Sequence, residues 1–178
     1  MNPQALIDKY YGIDGPLRQL LLIHSRSVAQ LALDIAHRHP ELPIDHSFLE
    51  EAALLHDIGI LHCDAPRIHC HGTAPYILHG RLGADMLRAE GFPRHARVCE
   101  RHTGAGITRA AILAQHLPLP PQDFLPETLE EQLICYADKF FSKTHLDRQK
   151  TPEQALRSLE AFGSDSIERF RHWQQLFS

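Results

Sequence analysis

The stretch Leu54-Leu55-His56-Asp57-Ile58-Gly59 is the feature around which the rest of this chain can be interpreted. It joins two apolar residues to an adjacent His-Asp pair, and a glycine two positions later allows the chain to turn. The preceding residues read as a helix with one apolar side, so the pair should point into the core. A buried carboxylate is costly unless it is neutralised, and a metal ion can neutralise it. Taken alone, the pair is explained more simply as a hydrogen-bonded helix terminus. A metal site is therefore predicted only if other ligand residues elsewhere in the chain can join it.

The composition indicates an ordinary globular protein with an unusual amount of histidine. The 178 residues carry a net charge of −4 and include 14 histidines. The length predicts one domain over residues 1–178, and the charge favours neither a membrane surface nor extended nucleic acid as a partner. Without a spanning apolar run or a signal-like N-terminus, we expect a cytoplasmic protein. The four cysteines form no CxxC pair and are expected to be free thiols.

The spacing of apolar residues predicts an all-α fold, a compact bundle of about seven to nine helices. Gly, Pro and capping residues divide the chain, and Thr128 and Thr151 each begin a capping-box pattern. No strand is predicted, and residues 60–74 and 117–126 read as loops. The two helices within 151–178 should pack on a core of residues 17–143. The predicted helices cover about 1–11, 16–38, 45–57, 75–90, 93–102, 108–115, 128–141 and two segments within 151–178.

Five of these helices each offer a metal-ligand candidate at an inward position or at a helix end. Four imidazoles and two carboxylates suit two first-row transition ions, with iron or manganese preferred and zinc, cobalt or nickel as alternatives. Two divalent ions carry more positive charge than two carboxylates can neutralise. The remaining positive charge would attract a phosphate. Coordinated water is acidified enough to act as a nucleophile. Each histidine alone could equally be a satisfied core residue. The candidates are His24, His56, Asp57, His79, His102 and Asp138.

In this order the six residues resemble the pattern H…HD…H…H…D of the HD-domain metal-dependent phosphohydrolases, and His56-Asp57-Ile58-Gly59 reproduces the family's HDIG form. The resemblance implies an HD-domain helical bundle. It also implies that His24, His56, Asp57 and Asp138 hold one metal, and that Asp57 bridges to a second held by His79 and His102. The sequence after the fourth histidine, His102-Thr103-Gly104, is similar to HD-type hydrolases of dinucleoside tetraphosphates.

The chain departs from many relatives at Ile60, where they carry a lysine thought to touch substrate phosphate. The family resemblance therefore leaves the substrate open. Residues near the ligands in sequence could replace that lysine, although each could also be an ordinary solvated side chain. The candidate substrate contacts are Arg26, Arg81, Thr103, Arg109, Lys139 and Lys143.

The histidine- and cysteine-rich loop after the motif is expected to cover the mouth of the site. Within it, His62 or Asp64 could donate a proton to a leaving group, beside the catalytic Asp57. The alternative is that both are simple exposed loop residues. A separate zinc site in this loop is disfavoured because the spacing of His62, Cys63, His69 and Cys70 matches no common zinc finger.

Three functions remain open from the sequence. The preferred one is hydrolysis of a phosphate mono- or diester in a nucleotide, a dinucleotide or another small phosphorylated metabolite, by a metal-bound hydroxide. The resemblance also covers di-iron oxygenases that use the same ligand types. A third interpretation is a non-catalytic module held together by its metal. The expected partner is a small, nucleotide-like phosphorylated substrate, and a homodimer is left open.

Overall fold

The computed structural model describes all residues 1–178, and it confirms the predicted all-α class. Nine α-helices form the molecule, with two very small antiparallel sheets between them. Short 3-10 helices connect several elements at Ile58–His62, Pro66–Ile68, Tyr76–Leu78 and Glu160–Phe162. The α-helices are α1 Pro3–Tyr11, α2 Pro16–Arg38, α3 His46–Leu55, α4 His79–Ala89, α5 Pro93–Arg101, α6 Arg109–Ala114, α7 Leu129–Asp138, α8 Pro152–Arg157 and α9 Ser164–Phe177.

The largest core cluster joins α2, α3, α7 and α9. Helix α2 begins at Pro16, where a missing N–H costs nothing, and its buried face carries Val28, Ala32 and Ile35. The C-terminal helix α9 places Phe170 and Phe177 against Tyr136 of α7. Helix α7 is therefore enclosed along most of its length, which fixes the position of the aspartate at its end.

The glycine of the HDIG motif lies where the chain turns after α3, and it also allows close packing. Gly59 lies in the 3-10 helix, and its φ angle is not positive. A Cβ on Gly59 would lie 2.2 Å from the carbonyl oxygen of His79 and 2.3 Å from the backbone nitrogen of Gly83. The chain does turn after α3, into the 3-10 helix, and the glycine is required there because it lets two backbones touch. Gly80 is similar, since its Cβ would lie 2.4 Å from the carbonyl oxygen of Cys99 in α5.

The loop predicted over residues 60–74 contains the first small hairpin. Its strands are β1 Asp64–Ala65 and β2 Cys70–His71, with Asp64 opposite His71. The prediction of no strand was wrong, because two-residue strands are too short to show an alternating pattern. None of the helices has the length and apolar character that crossing a membrane requires.

A second hairpin follows α7, with strands β3 Phe141–Ser142 and β4 His145–Gln149. Helix α7 thus ends at Asp138, earlier than predicted, and Phe141 belongs to β3. The residues between Asp138 and β4 turn back across the end of the helix, which places Lys139 and Lys143 close to the aspartate. The capping box at Thr151 is complete. At Thr128 only the threonine half is present, because Glu131 instead accepts from the backbone N–H of Glu127.

Candidate metal centre

Helix ends position most of the metal-ligand candidates. His56 follows the last residue of α3, and His102 follows the last residue of α5. His79 is the first residue of α4, and Asp138 is the last of α7. His24 differs, since it lies in the middle of α2 on the buried face. Because side chains at helix ends can project along the axis, five separate helices reach one point in the core.

Asp57 lies at the centre, with its two carboxylate oxygens facing different histidines. Its Oδ2 atom is 3.1 Å from Nε2 of His24 and 3.1 Å from Nε2 of His56. Its Oδ1 atom is 3.6 Å from Nε2 of His79 and 3.4 Å from Nε2 of His102. Asp138 completes the first side, with Oδ1 3.0 Å from Nε2 of His24. One aspartate is therefore shared between two groups of imidazoles.

The structure gathers the six candidates into two groups that can each hold a metal ion. One contains His24, His56, Asp57 and Asp138, and the other contains Asp57, His79 and His102. Within each group the ligand atoms lie within 4.8 Å of one another, and all six residues are buried. The division is the one that the family resemblance implied.

Backbone carbonyls fix the tautomer of three of the histidines. Nδ1 of His56 is 2.7 Å from the carbonyl oxygen of Ala53, and Nδ1 of His102 is 2.7 Å from that of Cys99. Nδ1 of His79 makes the same contact, at 2.7 Å, with the carbonyl three residues earlier. A carbonyl only accepts, so each Nδ1 must donate, and each neutral ring then presents an Nε2 lone pair to the centre.

The unsatisfied atoms at the centre fit a metal. Both ring nitrogens of His24, Nε2 of His56 and both carboxylate oxygens of Asp57 are buried without a hydrogen bond of acceptable geometry. Nε2 of His79 lies 3.0 Å from Nε2 of His102, so two lone pairs would face each other if both rings are neutral. Buried polar atoms in native proteins normally have partners. Divalent ions would supply them, and a mixed nitrogen and oxygen donor set suits first-row transition metals.

The charges of the protein alone show how strongly the aspartates need cations. Burial disfavours the charged form of Asp57, but Lys143 and His56 outweigh it and hold its pKa well below the usual range. Burial acts against the charge of His56 too, yet Asp57 and Asp138 raise its pKa to about 9. His79, by contrast, has a pKa lowered to about 3 by burial and by neighbouring His102. In the protein without metal, the neighbouring carboxylates therefore favour the charged form of His56, whereas burial favours the neutral form of His79.

A cavity of about 170 Å³ opens onto the cluster and is lined on one side by lysines. Three of the six predicted substrate contacts, Thr103, Lys139 and Lys143, line it. Nζ of Lys143 is 2.6 Å from Oδ2 of Asp57, and Nζ of Lys139 is 2.7 Å from Oδ2 of Asp138. The sequence reasoning missed Tyr76, which stacks on His79 at 4.6 Å, and Lys150. Neither belongs to the family pattern, so no sequence signal marked them.

The other three predicted substrate contacts lie elsewhere. Arg26 is exposed and lines a depression on the outer side of α2. Arg81 faces Asp85, one turn along α4, at 3.7 Å. Arg109 is exposed at the start of α6. None of the three lines the cavity, because closeness to a ligand in sequence does not determine which face of a helix a side chain occupies.

The loop candidates for proton transfer also lie outside the cavity. His62 and Asp64 are exposed and do not line it, although the carbonyl oxygen of His62 accepts two backbone hydrogen bonds within the loop. The loop histidines and cysteines form no third metal-ligand group. All four cysteines are buried free thiols. Ile60, at the position of the lysine in many relatives, is fully buried, whereas Lys143 reaches the motif aspartate from the second hairpin.

The shared aspartate, the two histidine groups and the helical bundle around them define an HD domain with residues that can hold metal, and residues 21–142 match the HD domain family. The chain belongs to this family. An uncharacterized protein of Methanocaldococcus jannaschii is 38% identical over 124 residues, which cover 68% of this chain and 66% of that protein.

Two further relatives are named as tRNA (cytidine(56)-2'-O)-methyltransferases. The protein of Thermoplasma volcanium is 38% identical over 123 residues, covering 68% of this chain and 32% of the relative. The protein of Picrophilus torridus is 36% identical over 124 residues, which cover 69% of this chain and 32% of that relative. The matches thus span about two thirds of the first relative and about a third of each methyltransferase. No solved structure matches this chain significantly.

Proposed function

We propose that this protein is a metal-dependent phosphohydrolase that acts on a small, nucleotide-like phosphorylated molecule in the cytoplasm. The main support for this proposal is the position of Asp57, whose two oxygens face two different pairs of imidazoles. A carboxylate shared in this way suits two ions held side by side. Two neighbouring ions can stabilise both the attacking and the leaving oxygen in a displacement at phosphorus.

The residues at the site fall into two groups, those that would bind the metal ions and those that would bind the substrate. His24, His56, Asp57 and Asp138 would hold one ion, and Asp57, His79 and His102 the other, with iron or manganese as the preferred metals. When bound, the ions supply Lewis acidity that activates water and offsets the charge of the phosphate. Lys139 and Lys143 orient the phosphate and add positive charge at the open side of the cavity.

The lysines support a phosphorylated substrate, while the requirement for dioxygen separates hydrolysis from the other chemistry associated with this ligand set. A di-iron oxygenase would use the same four histidines and two aspartates, so the ligands alone do not separate the two reactions. The cavity beside them is lined by Lys139, Lys143 and Lys150, which suits an anionic substrate. Methyl transfer is not proposed for this chain, because the matched segment is about a third of each methyltransferase.

The test combines metal analysis with a substrate screen. Protein purified without chelators is analysed for metal content and then assayed against phosphorylated nucleotides, dinucleotides and metabolites with added Mn²⁺ or Fe²⁺. We expect bound metal and release of phosphate or a nucleotide. His56→Ala should lose both, whereas His172→Ala, a change at an exposed histidine in α9, should lose neither.

The same assay under anaerobic conditions separates the alternatives. Hydrolysis needs no dioxygen, so turnover should be unchanged when oxygen is removed. Turnover that stops without oxygen and resumes with it would assign the site to an oxygenase. A fully metal-loaded protein that converts no member of the screen would favour the non-catalytic module.

A further inference from the structure

The cavity beside the metal ligands continues into a groove between the two small hairpins. The groove has a volume of about 340 Å³ and shares Tyr76, Phe141, Lys143 and Lys150 with the cavity as lining residues. Its far side is formed by Arg67, from the 3-10 helix that connects β1 and β2. A molecule with one end at the metal ligands can therefore extend outward between the hairpins.

The groove is positively charged, although the protein as a whole is acidic. Within the cavity and the groove the lining cations are Lys139, Lys143, Lys150 and Arg67, and the sole lining carboxylate is Asp138. The whole chain has 22 Asp and Glu against 18 Lys and Arg, so this local excess runs against the overall balance. An excess of cations over carboxylates raises the local potential and favours an anionic ligand.

Two of these cations have no carboxylate partner. Lys139 and Lys143 pair with Asp138 and Asp57, but neither Arg67 nor Lys150 forms an ion pair. Lys150 is half-buried, and its pKa is lowered by burial and by the ammonium groups of Lys139 and Lys143. Such a crowded cation is stabilised by an anion. Arg67 adds a planar guanidinium, which binds phosphate oxygens in pairs.

The size and hydroxyl content of the groove suit further phosphate groups. The cavity at the metal ligands, at about 170 Å³, can take one phosphate, while the adjoining groove has twice that volume. Ser142 and Thr144 line the groove, and their hydroxyls hydrogen-bond to each other at 2.9 Å, which leaves one of the two protons for an anionic oxygen.

We propose that Arg67 and Lys150 form a subsite for a condensed phosphate chain, so that the enzyme prefers substrates with further phosphates joined to the one that is cleaved. This inference rests on the proposed hydrolase function only in placing the cleaved phosphate at the metal ligands. The groove binds the neighbouring phosphates, and the selectivity comes from charges outside the metal centre. Single phosphate esters would occupy the cavity and leave Arg67 without a ligand.

Binding of inorganic probes tests the subsite without requiring turnover. Isothermal titration calorimetry would compare orthophosphate with tripolyphosphate on the metal-loaded protein, with elemental analysis after each titration to show that the ions stay bound. We expect tripolyphosphate to bind about tenfold more tightly or better. Arg67→Gln should remove most of this advantage while leaving orthophosphate affinity unchanged. Lys150→Gln should weaken both probes, because Lys150 lines the cavity as well as the groove, and should weaken tripolyphosphate more. Arg171→Gln, an exposed arginine in α9, is the matched control and should change neither.

The outcomes separate this inference from the proposed function. Equal affinity of the wild-type protein for both probes, or an advantage that survives both variants, would overturn the subsite and leave hydrolysis of single phosphate esters intact. An advantage that depends on Arg67 in a protein that hydrolyses no substrate would support the subsite and count against the hydrolase. A loss of orthophosphate binding equal to that of tripolyphosphate would place Arg67 and Lys150 at the cleaved phosphate and overturn the subsite.

Discussion

Replacing Gly59 with alanine is expected to force α4 away from the HDIG motif. The added Cβ would lie 2.2 Å from the carbonyl oxygen of His79 and 2.3 Å from the backbone nitrogen of Gly83. Ordinary contacts of a Cβ begin at 3.4 Å, so the backbone must separate by about 1.2 Å. Both obstacles are backbone atoms at the start of a helix. No side-chain rotation can relieve the contact, because the helix must move as a unit.

The displacement should damage one half of the metal centre. The carbonyl in contact belongs to His79, which shares the second metal-ligand group with Asp57 and His102. His24 and Asp138 stand on other helices and need not move. We expect Gly59→Ala to cost about 1 to 3 kcal/mol of unfolding free energy, as overpacking typically does. We also expect metal content to fall from about two ions per chain to about one, as a two-ion site loses one member.

Elemental analysis and thermal denaturation of the purified variant measure these two effects. Ile60→Val is the control within the same segment, because it removes one buried methylene and adds no atom between the motif and α4. It should cost about 1 kcal/mol and retain both ions. If Gly59→Ala keeps the wild-type metal content and stability, the close approach of the two backbones is not what positions His79, and the reasoning fails.

Three other changes test the metal centre and its support. Chelation should lower the melting temperature, because it leaves the buried oxygens of Asp57 without a divalent partner, and added Mn²⁺ should restore it. Thr128→Ala removes the N-cap of the helix that carries Asp138 and should cost about 1 kcal/mol in chemical denaturation. Hydrogen bonds from Arg101 and Arg97 lower the pKa of Glu127 from 4.5 to about 2. Its contribution is therefore full above pH 4.5 and is lost as pH falls towards 2, so the melting-temperature difference between wild type and Glu127→Gln should shrink over that range. A difference that grows on acidification would contradict this sign.

The six ligand candidates could be identified from the sequence because each belongs to a local pattern. His56 and Asp57 follow an apolar helix, His79 and His102 lie near predicted helix boundaries, and Asp138 stands among apolar residues. That the six residues converge is a property of the tertiary structure. The family resemblance, based on the order of residue types along the chain, already implied this convergence. The all-α class followed from helical spacing and from glycines and prolines at the boundaries.

The surroundings of the centre could not be predicted in the same way. The two hairpins have strands as short as two residues, which carry no periodic signal. Lys143 was one of several basic candidates, and only the turn-back after α7 selects it over Arg26, which faces outward. Lys150 and Arg67 gain their importance from proximity across the groove, and they are more than eighty residues apart in sequence. Likewise, the role of Gly59 depends on α4, which the local sequence does not reveal.

The repeated contact from Nδ1 to the carbonyl three residues earlier has a consequence for how such proteins can diversify. At His56, His79 and His102 a hydrogen bond to a backbone carbonyl orients the imidazole ring. The orientation of each ring therefore depends little on the side chains around it. The walls of the groove are formed by the two hairpins, which contribute no metal-ligand candidate. Changes in those hairpins can therefore alter which molecule the groove accepts while the positions of the metal-ligand candidates stay the same.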